Sequence, residues 1–182
     1  MRHIKIIRSI SLIISLFLIT SCSNNSAMKP EDFKNKEPRL IIEEYLTGNV
    51  KAWGVLQNRS GKVTRQFSAD LNGSWDGKQL ILKEKFNWDD GEVQNREWTI
   101  NKIDENNYEG TAGDVVGKAI GYSYGPAFKF EYVLLVPVKG KEMKITFDDW
   151  IFMQDEKVAI NRAKMTKFGI RVADLTVVFV KD

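Results

Sequence analysis

The sequence has one histidine, His3, and one cysteine, Cys22, and nothing beyond Cys22 contains either residue. That count removes a Ser-His-Asp triad, a Cys-His pair, a zinc site of the usual kind, haem ligation by histidine and any disulfide framework from the body of the chain. A membrane-spanning apolar run is missing as well. The segment Ile10-Ser-Leu-Ile-Ile-Ser-Leu-Phe-Leu-Ile19 is about ten residues long, where a helical span needs about 20. Nor is there an excess of charge. Of the 27 basic residues, Arg2, Lys5 and Arg8 precede that segment, and the remainder number 24 against 24 acidic residues. A neutral body has no general attraction for nucleic acid, so no nucleic-acid partner is expected, and no metal or cofactor either. What is present, 43% hydrophobic and 28% charged residues in a chain of 182, is the composition of one folded domain.

The short basic region followed by an apolar core is the pattern of a secretion signal over residues 1–21. It runs into Leu18-Ile19-Thr20-Ser21-Cys22, which resembles the bacterial lipobox at all four of its positions: an aliphatic residue, two small ones, then the cysteine that receives lipid. The expectation is a lipoprotein anchored to the membrane through Cys22; the plainer alternative is an ordinary cleaved signal with a stray cysteine. Each buried acyl methylene contributes about 0.8 kcal/mol, so several chains hold a protein at a bilayer. By resemblance to Gram-negative sorting rules, Ser23 in place of aspartate favours the outer membrane, facing the periplasm. Residues 22–37 then read as a lipidated N-terminus and polar tether. Ser26-Ala-Met-Lys29 matches the Ser-x-x-Lys of penicillin-recognising enzymes, but it lies in that tether without companion motifs and is a chance match.

The domain proper is expected over residues 38–182. Pro38 and Gly48 bracket one short helix near residues 38–47. After it, turn signals recur at Ser60-Gly61, Asp76-Gly77, Asp90-Gly91, Asn106-Asn107, Lys139-Gly140 and Asp155-Glu156, about every 14 to 16 residues except for a gap of about twice that from 107 to 139. Between them apolar residues alternate, as in Phe128, Phe130, Tyr132, Leu134 and Val136, in Phe67, Ala69 and Leu71, and in Leu175, Val177 and Phe179. Period two means strands with one buried face. Strands of about ten residues joined by tight turns are too long for an immunoglobulin-like sandwich, whose turns come every 8 to 12 residues. They predict an all-β, up-and-down antiparallel barrel of eight to ten strands. The stretch Gly110 to Gly125, rich in glycine, reads as bulged strand and loop rather than packed helix.

Several side chains break the pattern in ways that suggest a site. Asp149 has the parity of Phe147 and Ile151 in Phe147-Asp148-Asp149-Trp150; an inward carboxylate there would bind a head group or act as an acid or base, and the simpler alternative is a β-bulge with solvated acids near a rim. Glu84 shares a face with Leu80, Leu82, Phe86 and Trp88. It meets a cation inside or lies near a strand end. Arg162, beside Asn161, shares a face with Val158 and Ile160, and an arginine on an apolar face calls for a carboxylate such as Asp148, Asp149 or Glu84. Such a pair would orient the head group of a ligand or serve structure alone. The five tryptophans read chiefly as core and barrel plugs, with Trp53 and Trp150 added to the candidate ligand contacts.

Taken together, Tyr45-Leu-Thr-Gly48-Asn-Val-Lys-Ala-Trp53-Gly54, Asn72-Gly-Ser-Trp75-Asp-Gly77, Phe147-Asp-Asp-Trp150 and Ile160-Asn-Arg-Ala163-Lys-Met-Thr-Lys-Phe-Gly169 resemble a family of bacterial lipoproteins catalogued as domain of unknown function thirty-eight thirty-three. The resemblance covers nearly all of the chain after Cys22 and implies no established activity. A second resemblance is to lipocalins and other calycins, which open with a helical turn and a Gly-x-Trp; here Trp53 follows Gly48 by five residues, a departure from that spacing. Three functions stay open: a carrier of a lipophilic ligand such as a fatty acyl chain, an envelope scaffold with a packed barrel, and a carboxylate-based hydrolase.

Overall fold

The computed structural model describes residues 27–138 and 140–182. The signal segment, Cys22 and Ser26 lie outside the described residues. Ten strands follow one another as neighbours: β1 (Gly48–Asn58), β2 (Val63–Trp75), β3 (Gln79–Trp88), β4 (Val93–Lys102), β5 (Asn107–Ala112), β6 (Ala119–Tyr124), β7 (Ala127–Val138), β8 (Lys141–Met153), β9 (Val158–Lys167) and β10 (Ile170–Lys181). Each pairs antiparallel with the next, and β10 returns to β1 from Val50↔Lys181 to Asn58↔Ala173, which closes the barrel and removes its edges.

The turns explain why the register is fixed. At one end, Asn58 to Lys62 and Trp88 to Glu92 are three-residue hairpin loops: the Gly61 and Gly91 N–H groups donate to the Asn58 and Trp88 carbonyls at 2.9 and 3.0 Å. Both glycines have φ near +85° (84° and 87°), the left-handed position this loop requires. At the other end, Asp76, Asp104 and Asp155 each accept backbone N–H donors from two and three residues on, at 2.7–2.9 Å. Turn chemistry thus distinguishes the two ends of the barrel.

The aspartate-turn end is closed. A one-turn helix α1 (Ile42–Tyr45), shorter than the expected 38–47, lies across it with Leu40, Ile42, Tyr45 and Leu46 buried. Leu40 is held extended by its N–H to the Gly125 carbonyl at 2.8 Å, so helix starts only after it. The Tyr45 hydroxyl donates to the Lys157 and Phe179 carbonyls at 2.9 and 3.2 Å. Buried Glu43 accepts from the Tyr108 hydroxyl at 2.8 Å and pairs with Lys102. Gly73 makes room for α1: a Cβ there would stand 2.0 Å from the Leu46 carbonyl oxygen.

The expected tether is structured from Pro30 onward. Pro30–Phe33 form a 3-10 turn, and Phe33 packs on the outer face of the barrel with ring centroids 6.0 and 5.5 Å from Trp150 and Phe152. Inside, the alternating rows predicted from sequence form one core, into which Phe128, Phe130 and Tyr132 project. Gly110 and Gly54 lie against Phe130 and Phe67, where a Cβ would stand 2.5 and 2.3 Å from ring carbons. Missing side chains therefore let aromatic rings lie across the lumen.

Candidate functional site

The barrel is not filled: its lumen stays open from Ile42 and Leu46 at the α1 end toward the opposite end. A cavity of about 390 Å³ opens there, walled by Leu56, Phe86, Trp88, Met165 and Leu175 near the mouth and by Leu82, Trp98, Phe130, Phe147 and Val177 deeper in. Among the described residues lining it, Arg65 lies at the mouth, where its guanidinium contacts Asp90 and Glu92 at 2.8 Å each and stacks 4.0 Å above the Trp88 ring.

Polar side chains cross this apolar lumen in two groups. The first comes from the β3–β4 hairpin: Glu84 stands opposite Arg96 in the ladder, and both point inward. Arg96 turns toward Asp114, donating from Nε at 3.0 Å and from Nη2 at 2.8 Å to Oδ2. Asp114 arrives there because β5 and β6 have only six residues each. The loop between them folds across the resulting gap and is pinned to β7, with the Leu135 N–H donating to the Asp114 carbonyl at 2.9 Å and the Val116 N–H to the Val133 carbonyl at 2.8 Å. Glu84 is left 3.8 Å from Arg96 Nη1, and its Oε2 is buried without a hydrogen-bond partner. Burial pushes its carboxyl up to about 7 against the pull of Arg96 and of the nearby Trp98 indole N–H, with Asp149 and Asp114 adding to the rise.

The second group lies across β7, β8 and β9. Asp149 accepts from the Tyr132 hydroxyl at 2.9 Å and from the Asn161 side-chain amide. Burial raises it to about 6, although both donors favour its charged form. Tyr132 is pushed well above its ordinary range by burial and by the Asp149 charge.

Asp149, Asn161 and Glu84 therefore line the cavity as candidates read from sequence. The bulge expected at Asp149 is absent, because pairing with β7 and β9 runs without a register shift from Phe147 to Ile151. Four other candidates lie on the outer face. Arg162 is exposed there: β9 turns its small residues Ala159 and Ala163 inward with Asn161, and presents the larger Val158 and Ile160 outward. Asp148 sits between Lys129 and Lys164, at 3.6 and 3.7 Å. Trp150 donates its indole N–H to Asp148 at 3.0 Å and is buried beneath Phe33. Trp53, half exposed, pairs with Val178 outside the barrel.

Sequence reasoning missed Arg96, Asp114 and Tyr132 as site residues. For Arg96 the signal was present: it shares parity with Trp98 and Ile100, and a hairpin centred on Asp90-Gly91 brings it opposite Glu84. Asp114 had none, since it lies in a glycine-rich stretch without alternation. Among the described residues no group of three or more His, Cys, Asp or Glu is placed to hold a metal ion.

A closed ten-stranded calycin-like barrel with a mixed polar and apolar lumen is the class that fold and site define. The family model described as "Protein of unknown function (DUF3833)" matches residues 16–181, and the chain belongs to that family. No curated protein matches it. Among solved structures it is similar to the S-type phycobiliprotein lyase CPES from Guillardia theta, at 10% identity and a TM-score of 0.58 over 77% of this chain and 90% of that one. It is also similar to a protein of unknown function from the DUF3598 family of Nostoc punctiforme, at 15% identity and a TM-score of 0.60 over 81% of this chain. The match spans about half of the latter (51%). At these identities the likeness is one of fold.

Proposed function

We propose that this protein is a membrane-anchored carrier that holds a lipophilic small molecule, of the fatty acyl kind, in its barrel and does no chemistry on it. The observation that carries this reading is the open cavity of about 390 Å³ with apolar walls, within the size range of small-molecule sites. Such walls favour hydrocarbon by about 25 cal/mol per Å² buried. A scaffold has no use for an unfilled lumen. The lipobox at Cys22 supports anchoring, and Ser23 supports the outer membrane on its periplasmic side.

Purified from a membrane extract, the full chain is expected to retain lipid by native mass spectrometry and, once delipidated, to bind the uncharged dye N-phenyl-1-naphthylamine saturably. The absence of both would put the scaffold reading ahead. The raised carboxyls of Glu84 and Asp149 favour a second reading, a carboxylate-based hydrolase, and turnover of an ester or glycoside would promote it. For the anchor, metabolic labelling with a clickable fatty acid should mark the wild type and not Cys22→Ser, and density-gradient recovery with inner-membrane markers would overturn the localisation.

A further inference from the structure

We infer that the polar belt of the cavity receives a hydrogen-bond-donating head group, an alcohol or a primary amine on an aliphatic chain, and discriminates against a free carboxylate. This rests on the carrier reading and names the ligand class that the same cavity prefers.

The first observation is an unmet acceptor. Glu84 Oε2 is buried, has no hydrogen-bond partner and lines the cavity. A buried acceptor without a donor is costly, and an incoming O–H or N–H group supplies the missing bond. The second is the charge balance. Glu84, Asp114 and Asp149 face the lumen with Arg96 as the basic group among them, three carboxyls against one guanidinium. Arg96 already gives Nε and Nη2 to Asp114. A ligand carboxylate would enter a region of like charge whose nearest cation is engaged, and it would have no proton to offer Glu84. An ammonium offsets the excess of negative charge. A hydroxyl donates to Glu84 and brings no charge of its own.

Arg65, at the mouth, does not reverse this balance: its Nε is buried without a partner, but Asp90 and Glu92 both hold its Nη2 and outnumber its charge. Arg162, which the sequence suggested as a carboxylate clamp, stands exposed on the outer face of β9. Among the described residues that line it, the lumen thus offers no cation whose charge is not already matched by a carboxylate.

The test is displacement of N-phenyl-1-naphthylamine from the full delipidated chain at pH 8 by decan-1-ol, decylamine and decanoate, which share one chain length. The alcohol and the amine are expected to displace the dye at concentrations at least tenfold below decanoate. Decanoate equal to or better than the other two overturns the inference and leaves the carrier reading standing. Failure of the dye to bind at all removes the carrier reading itself. Glu84→Gln should shrink the advantage of decylamine over decanoate at least threefold, and Asp149→Asn serves as the second variant should the first not fold. An unchanged amine preference in both folded variants would also overturn the assignment, whereas Arg162→Ala should leave all three ligands as in the wild type.

Discussion

Glu84 and Arg96 are direct partners in the β3–β4 ladder, yet their charged atoms stay 3.8 Å apart because Arg96 turns its guanidinium to Asp114. The hairpin delivers an ion pair, and a loop from the far side of β4 takes it over. Glu84 is left as the under-satisfied member of a buried polar group, which gives it both its affinity for a proton and its claim on a ligand.

Stability should therefore fall as pH rises through the neutral range. Glu84 titrates near 7 in the folded state against an ordinary 4.5, and Asp149 near 6 against 3.8. The folded protein holds protons that the unfolded chain releases, so stability drops between about pH 4 and 7, with Glu84 contributing on the order of 3 kcal/mol. Glu43, Asp76, Asp104 and Asp155 are held below their usual range, and their contribution is lost as pH falls through the acid region. A melting-temperature maximum near pH 4 is expected, with Glu84→Gln flattening the slope from pH 5 to 8. An unsloped wild-type profile over that window would contradict it.

Asp114 is expected to be worth more than its loop position suggests. Replacing it by Ala removes the bidentate partner of a buried guanidinium and should cost about 1.5–3 kcal/mol, the range for hydrogen bonds to charged groups. Urea unfolding of Asp114→Ala, Arg96→Met and the double variant measures this directly. If the two single losses simply add, the pair does not act as a unit.

Much of this fold was legible because the lumen-facing residues of β2, β7 and β10 are large and alternate with polar ones. Strand β9 defeated that rule. Its inward set is Ala159, Asn161, Ala163 and Met165, smaller in part than its outward Val158 and Ile160, so size pointed to the wrong face and carried Arg162 with it. Trp150 failed for a different reason: Phe33, a contact more than a hundred residues away in sequence, buries it from outside. Asp149 and Asn161 were legible by parity alone, while their shared hydrogen bond needed the β8–β9 register.

Glycines facing the lumen should tolerate no methyl group. Gly54→Ala and Gly110→Ala place Cβ at 2.3 and 2.5 Å from the Phe67 and Phe130 rings, and overpacking of this kind costs about 1–3 kcal/mol. Gly113→Ala, with nothing within 4 Å, should stay within about 0.5 kcal/mol of wild type. Rescue of Gly54→Ala by Phe67→Leu, read from urea midpoints, would assign the cost to that one contact. Equal losses at Gly54 and Gly113 would refute it.

The entrance for a ligand should be the end bounded by the glycine-bulge turns. The other end is shut by α1 with Tyr45 tied to two carbonyls, Glu43 held by Tyr108 and Lys102, and Leu46 seated against Gly73, and opening it would break a buried network as well as expose four apolar side chains. The mouth presents no such barrier. Leu175 lines the cavity beside Leu56, its partner in the β1–β10 ladder, so Leu175→Trp adds an indole where a ligand would pass. Dye affinity in Leu175→Trp should fall at least tenfold, with little change in melting temperature, since the ring enters unfilled space. Arg162→Trp is the matched control: Arg162 pairs with Thr176, the next residue of β10, but projects outward, and the same added bulk there should leave dye binding unchanged. Normal binding in Leu175→Trp together with loss of binding in Ile42→Trp would place the entrance at α1 instead.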